Sequence, residues 1–228
     1  MKKIVVLSGA GISAESGLKT FRDEGGLWEE YKIEEIATPE AWQNNPSLVL
    51  EFYNKRRKEA MDARPNGAHI ELANLEDHYA VEIITQNIDN LHERAGSSKV
   101  LHLHGEIMKA QSSYDSSLVY DLSSWELKAG QQCELGYQLR PNVVWFGEPV
   151  PKMAQAASIT ESAEILIIIG TSLNVYPAAG LIDLADHNIP KYLVDPNEPN
   201  MSGINNLTHI KENASTGVPK LAKLLLGT

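Results

Sequence analysis

Short apolar runs rich in β-branched residues alternate along the chain with longer helical stretches. This alternation is typical of a parallel β-sheet that helices cover on both faces. The predicted strands are residues 4–7, 81–84, 143–146, 165–169 and 192–194. The predicted helices are residues 46–63, 67–78, 154–163, 178–187 and 218–226. No polar residue interrupts strand 165–169, and we therefore place it at the centre of the sheet.

Two segments do not fit this alternation. Residues 24–65 form a long, mostly helical excursion, and residues 110–139 are polar, rich in Ser and Gln and only weakly periodic. We interpret the two segments as one small module on top of the main sheet. A chain of 228 residues is long enough for one large domain with such an appendage.

Charge and cysteine content exclude several classes of protein. The 20 Lys and Arg against 30 Asp and Glu give a net charge of −10, which argues against a general binder of nucleic acid or anionic membranes. Cys133 is the single cysteine, so an intrachain disulfide and an all-cysteine zinc site are both excluded. No run approaches the roughly 18 apolar residues of a membrane span, and the amino terminus lacks a signal-peptide pattern. We therefore expect a cytoplasmic protein.

A G-x-G-x-x-A string, Gly9-Ala10-Gly11-Ile12-Ser13-Ala14, follows the first predicted strand directly. Such a string makes a tight turn, lets the backbone approach a pyrophosphate and opens a helix toward the negative charge. The alternative is a tight strand-to-helix turn without a ligand. A dehydrogenase would next need a second strand that ends in an acidic residue about 20 positions on. Residues 20–28 instead form a glycine-rich loop, which disfavours a hydride-transferring enzyme.

Polar residues also follow two later strands. The segment Thr85–Asn90 comes after the second predicted strand, and Gly170-Thr171-Ser172 comes after the fourth. Ligands bind at the carboxyl ends of strands in open α/β sheets, where amides, carboxylates and hydroxyls orient sugars, phosphates or carboxamides. Each segment could equally cap the helix that follows it, because Asn, Asp, Ser and Thr are good caps.

Two histidines stand at alternate positions, His102 and His104. An H-x-H pair can belong to a zinc site, but no nearby Cys or acidic cluster has the spacing of further ligands. With an ordinary pKa of about 6.5, a histidine is also a natural general base. For an isolated histidine a structural role is the more common one. The chain has no P-loop, G-x-S-x-G, H-E-x-x-H or C-x-x-C motif.

Taken together, these motifs resemble those of the sirtuins in order and spacing. The matching strings are Gly9–Ser13 with Gly17, Thr20-Phe21-Arg22, Thr85–Asp89, His102–Gly105, Val143–Glu148 and Gly170–Ser172. The match runs from about Ile4 to about Leu225. The resemblance implies one catalytic domain, residues 1–228, of the α/β class, with a Rossmann-like parallel sheet, helices on both faces and a small inserted module. The Rossmann-like part would comprise approximately residues 1–23, 66–109 and 140–228, and the module approximately residues 24–65 and 110–139.

The resemblance implies an NAD-dependent protein-lysine deacylase. The acyl oxygen of the modified lysine would attack the ribose carbon that bears nicotinamide, and His104 would act as the catalytic general base on a ribose hydroxyl. The products would be free lysine, nicotinamide and acyl-ADP-ribose. The residues implied to bind NAD are Gly9, Ala10, Gly11, Ile12, Glu15, Phe21, Arg22, Trp28, Gln86, Asn87, Ile88, Asp89, Gly170, Thr171, Ser172, Asn197 and Ala214.

The resemblance also indicates an acyl preference. Tyr53 and Arg56 are spaced i, i+3 on a predicted helix and share one face. On the residues alone, the tyrosine would anchor the helix and the arginine would meet water. The pair nevertheless matches the Tyr-x-x-Arg of the desuccinylase branch, in which both side chains receive the distal carboxylate of succinyl- or malonyl-lysine. Ala37 matches the small residue that leaves room for a longer acyl chain. Deacetylation is expected as a second activity.

The substrate peptide would pair with the segment Val144, Trp145, Phe146 and Gly147, which resembles the peptide-binding strand of the family. Main-chain pairing of this kind is tolerant of sequence. The expected partners are acyl-lysine-bearing proteins or peptides, with no nucleic acid and no membrane, and the protein is expected to be a monomer. Two other functions stay open: a mono-ADP-ribosyltransferase, and a non-catalytic sensor of NAD or ADP-ribose.

The chain departs from the family at the zinc site. Most sirtuins carry two pairs of cysteines that bind a structural zinc ion. The corresponding segments here are residues 110–114 and 131–134, and they contain one cysteine in total. A structural zinc site needs about four ligands, and Ser and Gln do not replace thiolate. We therefore predict that no metal is bound.

Overall fold

The computed structural model describes residues 1–20, 31–171, 177–197 and 203–227. The strands in this part of the chain are β1 (Lys3–Ser8), β2 (Ala80–Thr85), β3 (Val100–His102), β4 (Gly105–Ser112), β5 (Val119–Asp121), β6 (Leu139–Val143), β7 (Ile165–Ile169), β8 (Lys191–Val194) and β9 (Leu207–Ile210). The α-helices are α1 (Gly11–Ala14), α2 (Ile33–Ile36), α3 (Pro39–Asn44), α4 (Pro46–Asp62), α5 (Gly67–Asn74), α6 (Leu91–Ala95), α7 (Met153–Glu161) and α8 (Ala214–Leu226). Short 3-10 helices cover Leu75–Asp77 and Ala178–Leu184.

A six-stranded parallel sheet in the order β3-β2-β1-β7-β8-β9 forms the main part of the fold. Strand β7 pairs with β1 in the middle of this order, and its side chains are buried, so the predicted central position is confirmed. Alternate side chains of β1 enter two separate cores. Ile4 and Val6 pack with residues of α5 and α8, whereas Val5 and Leu7 pack with residues of α7 and the 3-10 helix Ala178–Leu184. The predicted arrangement of helices on both faces is therefore confirmed.

The helix boundaries follow their caps. The Asn45 side chain accepts a hydrogen bond from the backbone N–H of Leu48, and Pro46 occupies the first turn, so α4 starts where it was predicted to start. The predicted start of the last helix at residue 218 is wrong. Helix α8 begins at Ala214, and the N–H of Gly217 already bonds to the carbonyl of Asn213 at 2.8 Å.

Strands β5, β4 and β6 form a second, antiparallel sheet in that order. The prediction of a strand over residues 143–146 is wrong, because β6 belongs to this small sheet and ends at Val143. The chain turns there: Gly147 has φ +90°, and the Trp145 N–H bonds to the carboxylate of Glu148 at 2.8 Å. A glycine with positive φ accommodates this turn without strain.

Helix α4 joins the helical excursion to the small sheet through a buried guanidinium. Arg57 has no exposed surface, and it donates to the carbonyls of Ile107 at 2.6 Å and Trp125 at 2.8 Å. The neighbouring Asn54 amide exchanges two hydrogen bonds with the backbone of Leu127, at 2.9 and 3.0 Å. These contacts pack α4 against residues 105–127. The division between large part and module stays a prediction.

The neighbourhood of Cys133 does not fit a zinc site. The thiol is buried, and its Sγ lies 3.3 Å from Ser112 Oγ, which itself accepts hydrogen bonds from the N–H groups of Tyr114 and Asp115. The rings of Tyr114 and Tyr137, close in sequence to Ser112 and Cys133, stack with their centroids 4.3 Å apart. In the part of the chain that the structure describes, no three His, Cys, Asp or Glu side chains are grouped to hold a metal ion. The absence of zinc stays a prediction.

Two buried histidines, His69 of α5 and His92 of α6, are in contact. The rings of His69 and His92 have centroids 5.0 Å apart, and both side chains are buried. Burial lowers the pKa of His69 to about 4 and lowers the pKa of His92 as well. His69 Nδ1 also accepts from the N–H of Asn66 and completes the capping box of α5. Both rings are therefore neutral in the folded protein at pH 7.

We expect the protein to lose stability in mild acid, because the unfolded chain takes up protons that His69 resists in the folded state. The gap between a pKa of about 4 folded and about 6.5 unfolded lowers the free energy of unfolding by about 3 kcal/mol between pH 7 and pH 4. Urea unfolding at several pH values measures this slope. His69→Gln retains a capping-box side chain and should flatten the slope, whereas His78→Gln, at an exposed site, should not. An equal slope in His69→Gln and wild type would contradict the prediction.

Candidate active site

Two glycine turns interlock at the carboxyl ends of β1 and β7. The N–H of Gly9 bonds to the carbonyl of Ile169 at 3.0 Å, and the N–H of Gly11 bonds to that of Gly170 at 2.9 Å. A Cβ atom on Gly170 would lie 2.4 Å from the backbone nitrogen of Ile12. Strands β1 and β7 are also the neighbours at which the strand order reverses, which is where open α/β sheets bind ligands. The turns thus form a cradle in which backbone can approach a ligand closely.

The segment that follows β2 places an amide, Asn87, and a carboxylate, Asp89, next to the two glycine turns. Asn87 Nδ2 donates to the carbonyl of Gly9 and to Ser13 Oγ, both at 3.1 Å. Ser13 Oγ in turn donates to Asp89 Oδ2 at 3.1 Å, and the N–H of Leu91 donates to Asp89 Oδ1 at 3.1 Å. Burial raises the pKa of Asp89, and these two hydrogen bonds oppose the shift. Ser13 therefore bridges Asn87 and Asp89, two of the residues predicted to bind NAD.

His104 lies half-buried in the turn between β3 and β4. Its Nδ1 is 3.0 Å from the carbonyl oxygen of Gln86. Because a carbonyl can only accept, Nδ1 carries the proton, and Nε2 keeps the lone pair of a neutral base. Burial lowers the pKa of His104, and this further favours the neutral form at pH 7. The side chain is in the state that a general base requires.

A small, open pocket lies beside these groups. It is lined by Ala10, Ser13, Leu18, Lys19, Arg56, Ala60, Asn87, Ile88, Asp89 and Ile107. Arg56 comes to this pocket from α4, and its NH1 forms an ion pair with Glu59 at 3.0 Å. The fold thus brings the arginine of the Tyr-x-x-Arg pair next to the residues that follow β2.

Tyr53 lies in the apolar core between α4 and the small sheet and does not line this pocket. Its hydroxyl accepts a hydrogen bond from the Trp145 indole N–H at 3.1 Å, and the Arg140 guanidinium lies 3.9 Å above the Trp145 ring. Burial raises the pKa of Tyr53, so the phenol is neutral. Its contact with an acyl group stays a prediction.

The segment predicted to pair with a peptide already uses three of its N–H groups inside the chain. Val144 donates to the carbonyl of His104 at 2.9 Å, Phe146 donates to that of Ala37 at 3.0 Å, and Trp145 donates to the Glu148 carboxylate. The structure therefore places Ala37 next to this segment, as the prediction of one substrate groove requires. Pairing with a peptide would have to use carbonyl groups or the N–H of Gly147.

Several of the other predicted NAD residues that the structure describes lie near the carboxyl ends of the same strands. Gln86 Nε2 donates to Thr171 Oγ1 at 3.2 Å, which links the ends of β2 and β7. Asn197 follows β8, and Ala214 is buried at the start of α8. The Glu15 carboxylate bonds to the N–H and hydroxyl of Ser215, at 2.9 and 2.7 Å, and so ties α1 to α8. Phe21, Arg22, Trp28 and Ser172 lie outside the described residues.

Sequence reasoning missed several residues that the structure brings to the site. Ser13 and Lys19 both line the pocket. Ser13 stands inside the glycine string, and its position one turn from Gly9 was the signal that could have shown it. His102 contacts the backbone of Asn87 and was left without a role in the H-x-H pair. The glycine cradle, the strand-end amides and the hydroxyl of Thr171 fit a dinucleotide, whose phosphates and riboses need such groups.

Comparison with known proteins gives consistent matches. The sequence model described as "Sir2 family" matches residues 9–177. A protein of Bacteroides thetaiotaomicron named NAD-dependent protein deacylase is 49% identical over 231 residues, covering 99% of this chain and 99% of its own length. A protein of Helicobacter pylori with the same name is 51% identical over 228 residues, covering 99% of this chain and 96% of its own length.

Solved structures give the same result. A Sir2 homologue in complex with NAD superposes with a TM-score of 0.90 at 35% identity, covering 99% of this chain and 90% of the other. A Sir2 protein with a deacetylated p53 peptide and 3′-O-acetyl-ADP-ribose superposes with a TM-score of 0.79 at 30% identity, covering 98% of this chain and 92% of the other.

Proposed function

The chain belongs to the Sir2 family and catalyses NAD-dependent protein deacylation, and we propose that it prefers lysines whose acyl group ends in a carboxylate, such as succinyl- or malonyl-lysine. One observation carries the proposal: Arg56 lines the same pocket as Asn87 and Asp89. An acyl chain that reaches from the reacting end of this pocket toward α4 would meet a guanidinium. Acetyl-lysine is too short to gain that contact and would be a second substrate.

The chemistry of Arg56 suits this role. The side chain is only 10% exposed, so a carboxylate bound there would interact in a partly desolvated site, where charged hydrogen bonds are stronger. A guanidinium carries five N–H donors in a planar fork that matches the geometry of a carboxylate. A guanidinium that lines a pocket is therefore suited to bind a distal carboxylate there.

Tyr53, about one turn before Arg56 on α4, supports the same proposal. The Trp145 indole donates to the phenol oxygen, so the hydroxyl keeps its own proton for an acceptor. Because the phenol stays neutral, this proton is not lost near pH 7. A distal carboxylate that reached the phenol would accept a hydrogen bond from it in addition to those from the N–H groups of Arg56.

Other residues of the chain would bind NAD and transfer the proton. The turn at Gly9–Gly11 and Gly170 would hold the dinucleotide, and Asn87 and Asp89 would orient its carboxamide end. NAD supplies the ribose carbon that the acyl oxygen attacks, with nicotinamide as the leaving group. His104 Nε2 would take the proton of a ribose hydroxyl, because Nδ1 is held by Gln86. The carboxyl ends of the strands would thus position each of these groups for deacylation.

Replacing Arg56 with Met tests the acyl preference. We expect kcat/KM for a succinyl-lysine peptide to fall about 10- to 100-fold, because one charged, bidentate contact is lost. The value for the matching acetyl-lysine peptide should change less than about threefold. Lys55→Met removes the same charge from the exposed face of α4 and is the matched control. Equal losses on both peptides would mean that Arg56 has a structural role, and the proposed preference would be wrong.

We also propose that the protein works as a cytoplasmic monomer without nucleic-acid partners. The net charge of −10 supports the lack of affinity for nucleic acid. None of the described helices is long and apolar enough to cross a membrane. Light scattering of the purified protein measures its mass in solution, and a dimer mass would contradict the monomer.

A further inference from the structure

His102 is the half of the H-x-H pair that the mechanism leaves without a role. It is the last residue of β3, pairs in register with Thr85 of β2, and is only 3% exposed. Its Nδ1 lies 2.8 Å from the carbonyl oxygen of Asn87, and its Nε2 lies 2.7 Å from Glu93 Oε1. A carbonyl and a carboxylate both only accept hydrogen bonds. Both ring nitrogens of His102 must therefore donate, which makes the ring an imidazolium.

The surrounding charges favour this cation. Burial opposes the charged form of His102, but the hydrogen bond and charge of Glu93 outweigh it, and the Asn87 carbonyl and Glu106 add to them, so the pKa of His102 is raised. For Glu93, burial is likewise outweighed by the hydrogen bond to His102, and the pKa of Glu93 is lowered. The other titratable groups that interact with this pair are Asp89, His92 and Lys109.

The two histidines hold consecutive carbonyl groups. His104 Nδ1 donates to the carbonyl of Gln86, and His102 Nδ1 donates to the carbonyl of Asn87. The Asn87 side chain extends from the same residue to Gly9 and Ser13. The peptide group between Gln86 and Asn87 carries the carbonyl that holds the His104 ring. A shift of the Asn87 carbonyl would therefore move the Asn87 side-chain amide in the pocket and this neighbouring peptide group as well.

We propose that His102 is a positioning residue for the deacylation reaction: held as an imidazolium by Glu93, it fixes the Asn87 backbone and, through it, the nicotinamide side of the site. His102 acts through Asn87 and does not contact the reacting atoms. The proposal rests on NAD-dependent deacylation and not on the acyl preference, so the effect is the same for succinyl- and acetyl-lysine peptides. Above the raised pKa of His102 the ring loses a proton and one of its two hydrogen bonds, and kcat falls.

A spectroscopic test uses the full-length wild-type protein. Histidine is labelled with ¹⁵N, and the His102 signals are identified by their loss in His102→Gln. At pH 7 both ring nitrogens of His102 should show bound protons. A ring with one protonated nitrogen at pH 7 would overturn the proposal, whatever the stability of any variant.

A kinetic test follows the pH profile of kcat on one succinyl- and one acetyl-lysine peptide. Glu93→Gln removes the carboxylate that raises the pKa of His102, and we expect the alkaline limb to move down by about one pH unit on both peptides, with KM for the peptides unchanged. Glu161→Gln, at an exposed position at the end of α7, removes an equal charge and should leave the limb in place. A folded Glu93→Gln variant with the wild-type pH profile would overturn the proposal. If only the succinyl profile moved, the effect would belong to the acyl pocket, and the proposal would also fail.

Discussion

His104→Ala is expected to lower kcat for deacylation by about 100- to 10 000-fold, the range that general-base catalysis contributes. The imidazole is neutral at pH 7, and its Nδ1 proton is committed to the carbonyl of Gln86 at 3.0 Å. The neighbouring histidine, His102, does not offer a lone pair in its place, because it donates hydrogen bonds through both ring nitrogens. Release of nicotinamide in the presence of NAD and an acyl-lysine peptide measures the loss.

The control for this prediction is His187→Ala, at an exposed position after the second 3-10 helix. It removes an equal side chain and should leave kcat unchanged within about twofold. If His104→Ala kept more than about a tenth of the wild-type kcat while remaining folded, the assignment of the general base would be wrong. The same result would favour a reaction that needs no base, such as ADP-ribosylation of a protein nucleophile.

Gly170→Ala is expected to raise KM for NAD about 100-fold or more, or to prevent folding of the turn. The added Cβ would lie 2.4 Å from the backbone nitrogen of Ile12 and 2.6 Å from the carbonyl carbon of Gly11. Both neighbours are backbone atoms, so the glycine cradle itself would have to move. Gly170 also has φ +57°, which disfavours any side chain. A displacement of about 1 Å in a binding turn can cost about 100-fold in rate.

Gly180→Ala separates this steric effect from a general loss at glycine positions. Gly180 lies in the 3-10 helix Ala178–Leu184, and a Cβ there meets no atom within 4 Å. The KM for NAD and the thermal unfolding temperature of the Gly180→Ala variant should match those of the wild-type protein. For Gly170→Ala, an unchanged KM for NAD with normal unfolding would show that the interlocked turns do not form the dinucleotide site.

The main sheet could be predicted because its strands are continuous apolar runs that end in polar turns. For this reason the run at residues 165–169 predicts a central strand, which the structure confirms. The glycine string after β1 predicts a ligand-binding turn at the carboxyl end of that strand. Edge strands gave a weaker signal. Strand β9 is only partly buried, and β3 has three residues, so neither shows a long apolar run.

The small sheet could not be predicted from periodicity, since its edge strand β5 is short and largely exposed. Its packing depends on side-chain contacts that no local pattern encodes, such as the buried guanidinium of Arg57. The strand prediction over residues 143–146 failed because apolar residues there serve a turn. Trp145 is buried by its contacts with Tyr53 and Arg140, and not by pairing in a sheet.

The site divided in the same way. The positions of His104 and Asn87 next to strand ends could be predicted from their motifs, whereas their roles in the reaction stay predictions. Two contacts join elements that are far apart in sequence: the hydrogen bond between Ser13 and the Asn87 side chain, and the hydrogen bond between His102 and the Asn87 carbonyl. Such contacts appear only once the parallel register of β1, β2 and β3 is known.

The most direct test of the proposed function compares two peptides with the wild-type protein. A succinyl-lysine peptide and an acetyl-lysine peptide of the same sequence are incubated separately with saturating NAD, and kcat/KM is measured from nicotinamide release. The position of Arg56 in the pocket predicts a value at least about tenfold higher for the succinyl peptide. Equal values, or a higher value for the acetyl peptide, would contradict the assignment of Arg56 as the group that binds the distal carboxylate.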